Sequence, residues 1–143
     1  LGNICRSPLA EGILKSKLGK EAIQVDSAGT ASYHIGKKPD NRSIFIAKKY
    51  GIDISQQRCR QFTAKDFDEF DRIYAMDRSN YENIITLAET ENEIAKVNLL
   101  LHKSNIANKE VPDPYYGGED GFEEVFHLID AACNLIALDI IQK

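Results

Sequence analysis

Leu1-Gly2-Asn3-Ile4-Cys5-Arg6-Ser7-Pro8 opens the chain, and these residue types suit a loop that enters a helix around an anion. Ser is a good N-cap and Pro is pre-organised for the first helical position, so Ser7-Pro8 predicts a helix start. Leu9, Ile13 and Leu18 follow at helical spacing, and Gly19 supplies a stop. Backbone N–H groups at such a helix start, with the helix dipole behind them, favour negative charge. Arg6 adds a planar fork that can grip two oxygens of a phosphate, while Asn3 and Ser7 can hydrogen-bond within the loop. Taken alone, the same residues also describe an ordinary surface turn before a helix.

Outward from this loop, short apolar β-type runs alternate with amphipathic helical ones. Ile23–Val25 reads as a strand leading into a Ser27-Ala28-Gly29-Thr30 loop. Asp40 can cap a second helix through Ile44, Ala47 and Tyr50, ended by Gly51. Phe70–Ala75 reads as a strand, Ser79 as the cap of a helix to about Ala88, and Val97–Leu101 as a third strand. From about Gly121 to Ile141, Phe122, Val125, Leu128, Ile129, Ala132, Cys133, Ile136 and Ile140 follow the helical period. The alternation predicts an α/β layer fold with a parallel sheet. Such a fold normally begins with a strand, so the chain reads as starting one strand late.

With 143 residues and no internal repeat or linker, a single domain is expected. The 43% hydrophobic and 28% charged residues are those of a globular protein. The net charge of −4 argues against a nucleic-acid partner. No apolar run is long enough to span a membrane, and no secretory signal is visible. Cys5, Cys59 and Cys133 are odd in number and widely spread, which argues against a disulfide framework or a local zinc site. A reducing cytoplasm is the expected location.

A second informative block is Asp113-Pro114-Tyr115-Tyr116-Gly117-Gly118. An Asp on a Pro-stiffened loop beside two aromatic residues suits a general acid at the rim of a pocket that takes an aromatic group. The same residues could also be a rigid turn with packed tyrosines.

Together these blocks resemble the low-molecular-weight protein tyrosine phosphatase family over nearly the whole chain. That family's phosphate loop is Cys, five residues, Arg, then Ser-Pro, and Leu1-Gly2-Asn3-Ile4-Cys5 stand as the five before Arg6-Ser7-Pro8. Further matches follow in order: Asp26-Ser27-Ala28-Gly29-Thr30, Gly36 with Pro39-Asp40 and Arg42, Gly51-Ile52, Arg60-Gln61-Phe62, Asp66-Phe67 with Phe70-Asp71, Met76-Asp77 with Ser79-Asn80, and Asp113-Pro114-Tyr115-Tyr116. The resemblance implies a three-layer sandwich, a four-stranded parallel sheet with helices on both faces. Its first strand and nucleophilic Cys are expected just before Leu1. Cys5 directly precedes Arg6 and is not that nucleophile.

By this resemblance, the activity is hydrolysis of protein phosphotyrosine through a cysteinyl-phosphate, without a metal or organic cofactor. Leu1, Gly2, Asn3, Ile4, Cys5, Arg6 and Ser7 would bind phosphate, and Arg6 and Asp113 would be catalytic. Ser27 would support the loop. Asp77 resembles the buried acid near Arg6, though it reads equally as a capping residue. Tyr33, Tyr115 and Tyr116 would flank the substrate ring. Cys5 matches a loop cysteine that can form a reversible disulfide with the nucleophile, and it could equally be a small buried side chain. Gln57 stands where many relatives carry a His directed at the loop. A phosphotyrosine protein, such as a tyrosine kinase, would be the substrate and inorganic phosphate the product. Two alternatives remain at this point: a thioredoxin-coupled arsenate reductase and a non-catalytic phosphate- or phosphotyrosine-binding module.

Overall fold

Eight elements follow one another in the computed structural model, which describes residues 5–19, 23–30, 35–104, 109–114 and 119–141. They are α1 (Arg6–Leu18), α2 (Asn41–Lys49), α3 (Asp66–Glu69), β1 (Ile73–Ala75), α4 (Arg78–Thr86), α5 (Glu91–Ala95), β2 (Val97–Leu99) and α6 (Glu119–Ile141). Helix α1 starts at Arg6 with Cys5 before it, so Ser7 is not the cap and Pro8 is the third helical residue. The first four N–H groups of a helix have no intrahelical acceptor, and the N–H that Pro8 lacks is therefore not missed. Gly19 ends the helix at φ 52°, donating its N–H to the Lys15 carbonyl at 3.0 Å.

β1 and β2 pair in parallel, with Ile73 opposite Val97 and Ala75 opposite Leu99. Their side chains separate two apolar layers. Ile73, Ala75 and Val97 join Phe62, Phe67 and Ile84 on one face. Tyr74 faces the other way, onto the core of Leu9, Ile13, Phe122, Val125 and Ile129 built from α1 and α6. This alternation is the period of two that a strand imposes, and it confirms the layered α/β arrangement. Helix α1 packs chiefly on α6, and α2 closes against both.

Several expectations are corrected. Among the described residues the sheet has two strands, where three were expected within this chain. Ile23–Val25 is not part of a ladder; the nearest pairing is a single parallel bridge of Gly29 to Gln61, with Gly29 N–H to Arg60 O at 2.9 Å and Phe62 N–H to Gly29 O at 2.7 Å. The expected Phe70–Ala75 strand is shortened because Phe70 closes α3. Val97–Leu101 is shortened because the chain turns after Leu99, whose carbonyl accepts from His102 N–H at 3.1 Å. Asp77, not Ser79, caps α4: its extended backbone aims a carboxylate oxygen at the Asn80 N–H, 2.8 Å away. α4 ends at Thr86 rather than Ala88, and α6 begins two residues before Gly121. Asp40 caps α2 as expected, accepting from Arg42 N–H.

Candidate active site

Arg6 opens α1, yet its side chain is buried, 5% exposed. A buried guanidinium requires acceptors, and three converge on it. Nη1 donates to Asp77 Oδ2 at 2.8 Å and to the Val111 carbonyl at 2.7 Å, while Nη2 reaches Asn80 Oδ1 at 3.4 Å. Nε donates to no described residue. Asp77 thus combines the two roles that its sequence context left as alternatives. Oδ1 caps α4 and Oδ2 pairs with Arg6. Partial burial opposes its ionisation, but the Asn80 N–H and the Arg6 guanidinium overcome this and hold the carboxyl below the usual range. These partners sit just past the C-terminal end of β1, where open α/β sheets bind their ligands.

A cavity of about 550 Å³ opens at this point. Arg6, Ser7, Asn80 and Asp113 are among the polar residues that line it. Asp113 is exposed, on the segment that leaves Val111, and its charge reaches Cys5. The cavity also has apolar walls: Leu14 of α1, Val25, Tyr74 of β1, and Cys133 and Ile140 of α6. An anchored guanidinium and a separate carboxylate beside one cleft form an arrangement that can bind an oxyanion and exchange a proton with it.

The family model of the low molecular weight phosphotyrosine protein phosphatases matches residues 1–143. The chain belongs to that family. It is 39% identical over 143 residues to the low molecular weight phosphotyrosine protein phosphatase of Schizosaccharomyces pombe, covering 95% of this chain and 90% of the relative. A protein tyrosine phosphatase of Entamoeba histolytica, solved with Hepes in its active site, is 37% identical with a TM-score of 0.90. That match covers 100% of this chain and 95% of the other. Vibrio vulnificus Wzb, solved in complex with benzylphosphonate, is 31% identical with a TM-score of 0.86, covering 97% and 93%. This phosphatase is therefore an enzyme of the class that hydrolyses phosphotyrosine.

In the phosphatase fold, the remaining expected site residues fall as follows. Leu1, Gly2, Asn3, Ile4, Tyr33, Tyr115 and Tyr116 lie outside the described residues. Ser27 Oγ donates to Glu11 Oε1 at 2.7 Å, and Glu11 Oε2 accepts from Lys15 at 2.8 Å, so Ser27 is tied to α1. Cys5 is buried, and its carbonyl accepts from Ser43 Oγ at 3.2 Å. Burial pushes its thiol up to about 12, and the Asp40 and Asp113 charges push the same way, so Cys5 is held as a neutral thiol. Gln57 Nε2 donates to the Pro8 carbonyl at 3.1 Å in the first turn of α1, while its buried Oε1 has no partner among the described residues. Sequence reasoning missed the Val111 carbonyl and the Asn80 amide as holders of Arg6. Asn80 stood inside a matching block without a role, and a backbone carbonyl carries no residue-type signal. Among the described residues no group of three His, Cys, Asp or Glu could hold a metal ion. No helix among them is long and apolar enough to cross a membrane.

Proposed function

We propose that the enzyme cleaves protein phosphotyrosine through a cysteinyl-phosphate, with Arg6 holding the phosphate and Asp113 acting first as acid and then as base. The observation that carries this reading is the state of Arg6. Its Nη1 is committed to Asp77 and Val111, which leaves the Nε edge of the fork for two phosphate oxygens. In the first step a thiolate attacks phosphorus, the bond to the tyrosyl oxygen breaks, and Asp113 gives that oxygen its proton. In the second, water attacks phosphorus, Asp113 takes the water's proton, and the P–S bond breaks to release phosphate and regenerate the thiolate. Arg6 and the loop N–H groups stabilise the charge on the equatorial oxygens throughout.

The thiol in this reading belongs to a cysteine preceding Leu1, at the end of a central strand. The apolar walls of the cavity support that strand. In a parallel ladder the residues bonded to one neighbour alternate with those that face the other side. Ile73 and Ala75 bond toward β2, so the peptide groups of Tyr74 face away from it. Tyr74 and Val25 line the same cavity, between α1 and α6. An extended apolar segment lying there would pair with the Tyr74 edge of β1, belong to the four-stranded sheet of this reading, and deliver its last residue beside Arg6.

Cys59 and Cys133 are buried cysteines outside any disulfide, on separate parts of the fold. They form no accessible pair for a disulfide relay, which favours the phosphatase over an arsenate reductase. Asp113 favours a catalyst over a binding module, which would need no acid. After oxidation of the nucleophile to a sulfenic acid by a peroxide, the Cys5 thiol could condense with it, releasing water and leaving a reducible disulfide. Phosphotyrosyl proteins, a tyrosine kinase among them, are the expected substrates, in a cytoplasm that keeps the three thiols reduced.

The test uses the natural full-length protein. Sequencing its N-terminal peptide should find Cys before Leu1, and replacing that Cys by Ser should abolish aryl phosphate turnover. Rapidly quenched wild-type protein should carry one phosphoryl group on sulfur. Turnover that survives the Ser substitution would overturn the mechanism.

A further inference from the structure

We propose that Asn80 is a positioning residue for Arg6, its neutral side-chain oxygen fixing the guanidinium without adding a negative charge that would repel a phosphate dianion. The inference rests on the reading of Arg6 as the phosphate-binding residue and adds a residue that sets how well it binds.

Asn80 is 8% exposed, in the first turn of α4, and lines the cavity beside Arg6. Its backbone is fixed by the N–H bond to Asp77 Oδ1 at 2.8 Å, so its side chain starts from a defined place. From there Oδ1 lies 3.4 Å from Arg6 Nη2. The bonds from Nη1 to Asp77 and Val111 hold one corner of the guanidinium plane. A plane held at one corner can still pivot, and the contact at Nη2 limits that rotation. Asn80 therefore sets the direction in which the Nε edge points.

Charge explains why an amide suits this position. Arg6 with Asp77 is a cancelled pair, so an arriving phosphate meets a locally neutral cluster plus the favourable N–H groups and dipole of α1. A carboxylate in place of the Asn80 amide would keep an acceptor of the same shape but leave the cluster with an excess negative charge. That charge would act on the phosphate across a short, poorly screened distance.

Inhibition of aryl phosphate hydrolysis by inorganic phosphate, measured on the full-length protein, tests this directly. For Asn80→Ala, the inhibition constant and KM should both rise about three- to tenfold, the worth of one long hydrogen bond, with kcat changing less. For Asn80→Asp, the inhibition constant should rise more than about tenfold at neutral pH. That deficit against wild type should shrink as pH falls through the carboxylate range. Melting curves accompany each variant; should Asn80→Ala fail to fold, Asn80→Asp keeps the acceptor and carries the test. A wild-type inhibition constant in Asn80→Asp at every pH would overturn the proposal, as would a loss in Asn80→Ala confined to kcat. If phosphate fails to inhibit the wild-type protein, the phosphatase reading of Arg6 falls and this inference falls with it. Equal inhibition of wild type and both variants sinks this inference alone.

Discussion

The carbonyl of Val111 accepts from Arg6 Nη1 at 2.7 Å, and the N–H of the same residue donates to Met76 O at 2.9 Å. One residue is thus clamped between the guanidinium that opens α1 and the chain leaving β1. Asp113 lies two residues further on, between Pro112 and the buried Pro114, which stiffen the path. The position of Asp113 is therefore geared to the position of the arginine. An Arg6 held by Asp77 on one side and by the acid's own loop on the other leaves little freedom for either group to drift, which is the preorganisation that charge stabilisation demands.

Asp77 allows its cap and its ion pair to be separated by mutation. In Asp77→Asn the amide oxygen can still accept from the Asn80 N–H, so the cap survives, while the charge and the acceptor facing Arg6 are both lost. In Asp77→Ala the cap is lost as well. The cap should account for about 1 kcal/mol, and removing one partner of a buried pair for about 3 kcal/mol. Denaturant unfolding should find Asp77→Asn less stable than wild type and Asp77→Ala less stable again by roughly the cap's share, about 1 kcal/mol. Equal stability of the two variants would mean that the cap contributes nothing.

That double role shows where the sequence was readable and where it was not. Asp77 before Arg78-Ser79-Asn80 reads as a cap, and the resemblance reads it as an acid near Arg6; a carboxylate has two oxygens, and the fold uses one for each. The 23-residue helix α6 was legible because its apolar residues repeat over many turns. The four residues of α3 and five of α5 are too short to show a period. β1 was legible as part of the Phe70–Ala75 run, but its register with β2 depends on where two distant segments meet. Cys5 could be read as lying beside the site, but its burial against Ser43 could not. The Val111 carbonyl was invisible because every residue has one.

The same carboxylates set a pH dependence of stability. Asp77 and Asp40 both have folded-state pKa values below their ordinary 3.8. At Asp40, burial opposes the shift and the Arg42 bonds outweigh it. A group with a depressed folded pKa stabilises the fold fully above its unfolded value and loses that contribution as pH falls through the folded one. Melting temperature should therefore be flat from neutral pH down to about 5 and fall below about 4. Asp77→Asn should start lower and lose less on acidification. A variant as acid-sensitive as wild type would remove Asp77 from the account.

Gly12 tests the contact between α1 and the segment after α2. A Cβ added there would meet Ile54 Cγ2 at 2.5 Å and Ile52 Cγ2 at 3.1 Å. Gly→Ala inside a helix normally gains about 1 kcal/mol. Here Ile54 is buried and cannot withdraw easily, so overpacking should cost about 1–3 kcal/mol and reverse the sign. Because Gln57 Nε2 reaches Pro8 from the same segment, Gly12→Ala should also weaken phosphate binding. Thermal unfolding and phosphate inhibition of the variant check both effects, and a stabilised protein would show that Ile54 gives way.

Asp113→Asn separates acid catalysis from structure. An amide keeps the size of the side chain but has no proton to give a departing phenolate. A strongly acidic phenol leaves without help, whereas tyrosine is a poor leaving group and needs the proton. Turnover of a phosphotyrosyl peptide should therefore fall by about 10²–10⁴-fold, and turnover of an activated aryl phosphate by far less. The dependence of rate on leaving-group acidity should become steeper than in wild type. Arg6 is untouched and a negative charge is removed rather than added, so inhibition by inorganic phosphate should not weaken. Equal losses on good and poor leaving groups, with weakened phosphate inhibition, would mean that Asp113 shapes its loop and the proton comes from elsewhere.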